Sequence, residues 1–402
     1  MSDVRIITGN EAAALAVTLC EPQVVAAYPI TPQTKISELL SEYVERGTLK
    51  AEYVRVESEH SALSVLIAAS TTGVRTFTAT SSNGLLYMHE QLHWAAGSRL
   101  PIVMCCVNRG VAAPWSIFND QQDSMSQRDT GWIQLYCRNN QEIIDTVIQA
   151  YRIAEEVYVP VMVCYDGFIL SHTMMPVEIP DAAEVRRYLP PYKPHTFLEP
   201  ERPRTINPVF FPWRRQNADG VLCDGYMEMR RKLQKGLEKA RDVIAVASSD
   251  YAERFGRDHG GLFWTHRVED ADIILTGMGS IAAEATLAAD LLRNEGVRAG
   301  VVGIRSYRPF PPGLPAVLRN ARLIVVFEKC FSYGYEGGVT SDLKASLYGT
   351  GVDAPVIDVI AGLGGRDVKT ADLLGAVREA MKSLESGDRA CRTVWLNCRE
   401  EE

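Results

Sequence analysis

The sequence predicts an α/β protein with two parallel sheets, each covered by helices. Three observations predict it. Short continuous apolar runs alternate with helix-length segments, the pattern of strands buried on both faces. Gly, Pro or charged residues separate the two kinds of segment. The alternation stops near residue 175 and resumes near 270, so it occurs twice. The chain has 402 residues, enough for two or three cores.

Asn10 to Leu19 reads as a short apolar helix after Gly9, and Val24–Ala27 as a strand. Thr34 to Gly47 puts Ile36, Leu39, Leu40 and Tyr43 on one helical face. Tyr53–Val56 is a strand, and Ser61 to Ala69 is small and apolar, as a buried helix is. Arg75–Thr80 is a strand, Gly84 to Trp94 a helix and Ile102–Val107 a strand. Gln141 to Glu156 is a helix, and Val159–Cys164 closes the first unit, residues 1–175.

Residues 176–225 are proline-rich and carry Tyr188, Tyr192, Phe197, Phe210, Phe211 and Trp213. That is too aromatic for a flexible linker and predicts a connector wrapped over a neighbouring surface. A charged amphipathic helix, Met227 to Val246, completes the 176–269 region. The second α/β unit spans 270–385. Its expected strands are 272–276, 297–304, 323–328 and 356–360. Its helices are 281–294, 311–318 and one beginning at Gly337-Gly338. The tail, 386–402, is polar and gives no clear structural signal.

Composition excludes several function classes. The net charge of −8 gives no footprint for nucleic acid or an anionic membrane. No apolar run reaches the roughly 18 residues of a membrane span. Met1-Ser2-Asp3-Val4-Arg5 does not read as the start of a secretory leader. Nine cysteines show no CxxC and no spacing suited to zinc or an iron–sulfur cluster, so no metal site is expected in this chain. They read as small core residues in a reducing cytoplasm.

Two segments lie where open α/β sheets bind ligands, at the ends of neighbouring strands. Ala27-Tyr28-Pro29-Ile30-Thr31-Pro32 is a proline-restricted turn after one strand; Glu57-Ser58-Glu59-His60 opens a helix after the next. Glu59, followed by apolar residues, is expected to be partly desolvated, which raises a carboxyl pKa and suits it to proton transfer. Position alone fits equally a helix-start carboxylate stabilised by the dipole. Thr31 offers a rigid hydroxyl for a ligand oxygen, or one bonded to its own backbone. Arg109, after a buried strand, is placed for two-pronged carboxylate binding or for a surface ion pair. The long loop 111–129 carries Trp115 and has the length of functional loops. Gly277-x-Gly279 is half of a dinucleotide fingerprint and reads as a tight strand–helix turn, as does Gly362-Leu363-Gly364-Gly365.

These motifs, with Gly9-Asn10-Glu11-Ala12, Thr80-Ser81-Ser82-Asn83-Gly84-Leu85, Asn108-Arg109-Gly110 and Gln127-Arg128-Asp129-Thr130-Gly131-Trp132, resemble the alpha subunit of the pyruvate:ferredoxin oxidoreductase (2-oxoacid:acceptor oxidoreductase) family. The resemblance runs from about Gly9 to Asp367. Residues 270–385, including Arg305-Ser306-Tyr307-Arg308-Pro309-Phe310, are similar to the transketolase C-terminal domain. It implies a pyrimidine-binding-type thiamine diphosphate domain in residues 1–175. Glu59 then matches the glutamate that activates the aminopyrimidine. Thr31 and Arg109 match the pair that holds the oxoacid carboxylate, and Tyr28, Pro29, Ile30, Ser82 and Asn83 line the cofactor side.

The implied reaction is coenzyme A-dependent oxidative decarboxylation of a 2-oxoacid to acyl-CoA, CO2 and low-potential electrons. Since no Gly-Asp-Gly occurs, the diphosphate and Mg2+ are expected on a partner beta subunit. The [4Fe-4S] clusters are expected on partner subunits, gamma and ferredoxin-like delta, with ferredoxin or an NAD-linked flavin subunit as acceptor. Neutral Thr31 points to a monocarboxylate. Pyruvate is the family default, while Trp115, with Trp94 and His93, leaves an aryl-oxoacid such as phenylglyoxylate open. Two other readings are a non-catalytic scaffold subunit, which needs none of Glu59, Thr31 and Arg109, and a dinucleotide-dependent dehydrogenase, which the incomplete fingerprint disfavours.

Overall fold

The computed structural model describes residues 3–194, 215–216, 222–387 and 393–399. Phe197, Phe210, Phe211, Trp213 and Cys391 lie outside them. The strands are β1 (Asp3–Ile7), β2 (Val24–Ala27), β3 (Glu52–Arg55), β4 (Thr76–Thr80), β5 (Val103–Asn108), β6 (Ile133–Tyr136), β7 (Val161–Asp166), β8 (Met175–Ile179), β9 (Arg215–Gln216), β10 (Leu222–Cys223), β11 (Phe263–His266), β12 (Ile273–Gly277), β13 (Ala299–Ile304), β14 (Ser306–Arg308), β15 (Leu323–Glu328), β16 (Val356–Ile360) and β17 (Thr393–Trp395).

Seven of them form one sheet in the order β3-β2-β4-β5-β7-β6-β14, parallel except for β14. Six form a second, β11-β13-β12-β15-β16-β17, parallel except for β11. The α/β class with parallel sheets is therefore as expected. β5 and β7 are buried at every residue, as continuous apolar runs demand. In the first sheet the chain steps from β2 to β3 on one side, then to β4 on the other. The crevice beyond the carboxyl ends of β2 and β4 is thus the switch point, where this architecture binds ligands.

One apolar core runs from the helices over the first sheet onto one face of the second, through Ile274, Val302 and Ile324. A second core fills the other face of that sheet, under the helices Ser280–Asn294 and Thr370–Glu385. Among the cysteines, Cys20, Cys105, Cys106, Cys137, Cys164 and Cys330 are buried free thiols, while Cys398 is exposed.

Several boundaries differ from the sequence reading. The helix expected over 84–94 is two, Ser82–Tyr87 and His89–Gly97, meeting at Met88. The helix expected at 227–246 runs from Tyr226 to Phe255. The second sheet takes its edge strand β11 from upstream of residue 270 and β17 from the tail that gave no signal.

The most consequential difference is β14. Residues 297–304 continue into it after only Arg305, and β14 leaves the second sheet to pair antiparallel with β6 of the first. Arg305 is fully buried at the crossing. Its guanidinium donates to Glu142 Oε1 at 3.1 Å, Thr146 Oγ1 at 2.9 Å, Gln149 Oε1 at 3.1 Å and the Gly261 carbonyl at 2.9 Å. The first three partners lie on the helix Asn140–Val157, packed on the first sheet. A planar guanidinium with five fixed donors suits such a junction.

Candidate active site

Four adjacent parallel strands deliver the candidate residues to one edge. β3 leads into Glu59, β2 into Tyr28–Thr31, β4 into Ser82 and Asn83, and β5 into Arg109. Register brings these ends level: Ala27 lies opposite Arg55, and Thr80 opposite Cys106.

Glu59 begins the helix Glu59–Thr71, which Ser58 caps by accepting from the Ser61 amide at 3.1 Å. The cap fixes the first turn, and Glu59 is turned inward with 8% of its surface exposed. Its carboxylate packs on Gly84: a Cβ there would stand 2.6 Å from Glu59 Oε1 and 2.7 Å from Thr80 Oγ1. Among the described residues nothing donates to the Glu59 carboxylate, and Thr80 Oγ1 and Ser81 Oγ are buried without a partner. Buried polar groups are normally paired, so this set leaves hydrogen-bonding capacity open to a ligand.

Ser82 follows β4 with φ +49°, the left-handed region. Its amide donates to Asp123 Oδ2 at 2.8 Å and its hydroxyl to the Gly110 carbonyl at 2.5 Å. Asn83 is exposed, and its Oδ1 accepts from the Ala112 amide at 3.1 Å. The turn after β4 is in this way joined to the loop after β5.

Arg109 is 3% exposed. It donates to the Thr31 carbonyl at 2.8 Å and the Ser116 carbonyl at 3.2 Å, and the Trp115 ring lies 4.8 Å from the guanidinium. Thr31 and Arg109 thus sit together, and the exposed Thr31 hydroxyl makes no hydrogen bond among the described residues. Burial pushes the Arg109 pKa down, opposed by the nearby Asp123 charge. Trp115, 73% exposed, stacks on the arginine instead of filling a closed pocket. Tyr28 is half-exposed, with its carbonyl accepting from Gln33 Nε2 at 2.7 Å, and Ile30 accepts from the Gln33 amide at 2.8 Å. Pro29 lines a 300 Å³ cavity with Tyr53 and Arg55. Trp94 is partly exposed, and His93 packs edge-on against His89 at 5.0 Å.

The loop after Arg109 rests on the second sheet. The Gln121 amide donates to the Lys329 carbonyl at 2.8 Å, the Gly365 amide to the Asn119 carbonyl at 2.6 Å, and Ser116 Oγ to the Gly364 carbonyl at 3.2 Å. Beneath it, the buried Lys329 ammonium holds Asp166 Oδ2 at 3.0 Å, and Ser280 at the Gly279 turn also donates to Asp166. Gly279 has φ +64° and Gly364 φ +58°, so both glycine-rich segments are the tight turns expected of them. Burial, with Asp123 adding repulsion, pushes the Asp120 carboxyl up to about 7.

Comparison with known proteins decides the family. Residues 15–245 match the family described as pyruvate flavodoxin/ferredoxin oxidoreductase, thiamine diphosphate-binding, and 271–373 match pyruvate:ferredoxin oxidoreductase core domain II. The chain belongs to the pyruvate:ferredoxin oxidoreductase family. It is 44% identical over 397 residues to the ketoisovalerate oxidoreductase subunit VorA of Pyrococcus horikoshii, covering 98% of each chain. It is 44% identical over 405 residues to the pyruvate synthase subunit PorA of Methanocaldococcus jannaschii, covering 100% of this chain and 99% of that one. In structure it resembles the 2-oxoglutarate:ferredoxin oxidoreductase of Magnetococcus marinus, with TM-score 0.72 at 19% identity. That match covers 94% of this chain and 66% of the other. A split-gene transketolase shares the fold at TM-score 0.51 and 16% identity, covering 94% and 99%. The chain is thus a subunit of a 2-oxoacid:acceptor oxidoreductase.

For this member of the pyruvate:ferredoxin oxidoreductase family, two predictions follow from the site's geometry. Arg109→Lys exchanges a fork for a point charge and loses the bonds to Thr31 and Ser116. With Arg109 in the oxoacid-binding role proposed below, the KM for the oxoacid is expected to rise about 10–100-fold, the worth of one or two charged hydrogen bonds, with a smaller change in kcat. Gly84→Ala places a methyl against Glu59 and Thr80. Displacing the carboxylate by about 1 Å is expected to lower kcat about 100-fold without changing subunit assembly, read by steady-state kinetics and gel filtration.

Proposed function

We propose that this chain supplies the aminopyrimidine-activating and oxoacid-binding half of a thiamine diphosphate site in a multi-subunit 2-oxoacid:acceptor oxidoreductase. The observation that carries the reading is the unpaired, nearly buried Glu59 carboxylate, one strand end from Thr31 and held against glycine. The residues fit the group: Gly84 leaves a flat floor, Thr80 and Ser81 leave hydroxyls without partners, and Glu59 offers a carboxyl that can share a proton with a ring nitrogen. When bound, thiamine diphosphate supplies the electron sink for loss of CO2.

This chain's residues then have distinct tasks. Glu59 holds a proton at its carboxyl against the pyrimidine ring nitrogen, in a place where burial strengthens the hydrogen bond. Arg109 binds the substrate carboxylate and Thr31 its neighbouring oxygen. Trp115 covers the arginine and limits water there. Tyr28, Pro29, Ile30, Ser82 and Asn83 orient the ring. The diphosphate and Mg2+ are assigned to a beta subunit and the [4Fe-4S] clusters to gamma and ferredoxin-like delta partners. Coenzyme A takes the acyl group, and ferredoxin or an NAD-linked flavin subunit takes the electrons. A scaffold would need none of the three site residues. Among the described residues no helix is long and apolar enough to cross a membrane.

The substrate proposed is a small monocarboxylate 2-oxoacid, pyruvate first. Thr31 offers no charge for a second carboxylate, and relatives named for pyruvate and for ketoisovalerate are equally identical to this chain. The test is acyl-CoA formation by the natively purified complex with viologen as acceptor, across pyruvate, 2-oxoisovalerate, phenylglyoxylate and indolepyruvate. Turnover of pyruvate or 2-oxoisovalerate supports the reading. Preference for phenylglyoxylate reassigns the pocket around Trp115. Absence of turnover with thiamine diphosphate present overturns it.

A further inference from the structure

Asp123 lies in the loop after Arg109, on the short helix Gln122–Met125, and is fully buried. Each of its oxygens accepts two hydrogen bonds from nitrogen donors, and Oδ2 also takes the Cys106 thiol at 3.7 Å. Oδ1 takes Asn108 Nδ2 at 2.7 Å and the Ser124 amide at 2.7 Å. Oδ2 takes the Ser82 amide at 2.8 Å and the Arg109 amide at 3.0 Å. The last two donors are the backbones of the two turns that carry opposite sides of the site. The Ser82 turn leads to Gly84 and Glu59; the Arg109 turn leads to Thr31.

We infer that Asp123 is a positioning residue that fixes the cofactor-side turn and the oxoacid-binding arginine in one register through a single carboxylate oxygen. The inference rests on the proposed roles of Glu59 and Arg109. The chemistry requires a carboxylate. An asparagine has the same shape but one acceptor oxygen, so in either orientation its NH2 faces two donors. Burial raises the Asp123 pKa, and its nitrogen donors oppose that rise. The neighbouring Asp120 accepts only backbone amides within its own loop and at Gly364, and does not bridge the two turns.

Asp123→Asn in the natively purified complex is expected to raise both the thiamine diphosphate Kd and the oxoacid KM about 10-fold or more, as loss of charged hydrogen bonds to each turn predicts. A role confined to general stability would lower the melting temperature and leave both constants in place. Folded, assembled Asp123→Asn complex with both constants within twofold of wild type overturns the inference. Glu59→Gln and Arg109→Lys measured beside it separate the two readings: if they are silent, the site assignment fails, and if only Asp123→Asn is silent, the positioning role fails.

Should Asp123→Asn not assemble, the link is read by hydrogen exchange. Trp115→Ala loosens the Arg109 end, while Ser82→Ala with Asn83→Ala removes the two other side-chain links between the turns, to Gly110 and to the Ala112 amide, leaving Asp123 as the shared side-chain anchor. Against Ser82→Ala/Asn83→Ala, the triple variant is expected to exchange at least about threefold faster in residues 80–84 as well as 108–124, because paired amides open together. Faster exchange confined to 108–124 overturns it.

Discussion

Glu59→Gln, introduced into the intact complex, is expected to lower oxoacid decarboxylation by about 10²–10⁴-fold, the range over which a positioned acid or base contributes. The amide is isosteric, and the wild-type carboxylate makes no hydrogen bond among the described residues. Folding therefore loses nothing by the exchange, and the melting temperature and assembly should stay unchanged. That split makes the test sharp. Rates come from single-turnover decarboxylation at saturating thiamine diphosphate, which separates chemistry from cofactor binding. Activity within twofold of wild type would remove Glu59 from the mechanism and return it to a helix-start carboxylate.

The second large effect is on stability. Arg305→Met removes the guanidinium from a junction where all its partners are buried, leaving Glu142 without its nearest cation. Breaking a buried pair from one side costs about 3–5 kcal/mol. The lower end applies, about 3 kcal/mol, because Arg138 remains 3.5 Å from the other Glu142 oxygen. Chemical denaturation of the complex should show the loss as a lower midpoint. Adding Glu142→Gln should recover part of it, since the stranded charge is then gone. Arg305→Lys should recover little, because an ammonium cannot reach Glu142, Thr146, Gln149 and the Gly261 carbonyl in one plane. An unchanged midpoint in Arg305→Met would show that the crossing is held by apolar packing alone.

Strands buried on both faces were legible in the sequence because each is a continuous apolar run: Val24–Ala27 and Leu323–Glu328 lie where expected, and the strand expected at Ile102–Val107 is Val103–Asn108. The edges were not. β14 has three residues, and nothing local says that Ser306–Arg308 pairs with another sheet. β17 sits in a polar tail and is a strand because β16 offers an open edge. The break at Met88 had no Pro or Gly beside it to signal it. In the candidate site, Glu59, Thr31 and Arg109 could be singled out because strand ends and turn residues announce such places; the structure brings Arg109 onto Thr31 and buries Glu59. Asp123 was only one of several polar residues in a long loop. Its importance comes from two amides 27 residues apart meeting at one oxygen, which no spacing reveals. Gly84 likewise matters through what lies above it.

The clasp between the loop 116–121 and the second sheet makes that sheet a tutor of the pocket, though it supplies none of the proposed reacting groups. Loop backbone at Asn119 and Gln121 is spoken for by Gly365 and Lys329. The loop's shape therefore depends on residues about 210 to 250 positions downstream, at Lys329, Gly364 and Gly365. On the proposed function, a chain in which those residues have not docked has Glu59 but no ordered roof, and is idle before it is unfolded. On the same reading, substrate choice can be retuned from afar: a change at Gly364 shifts Ser116 and, through the Ser116 carbonyl, Arg109.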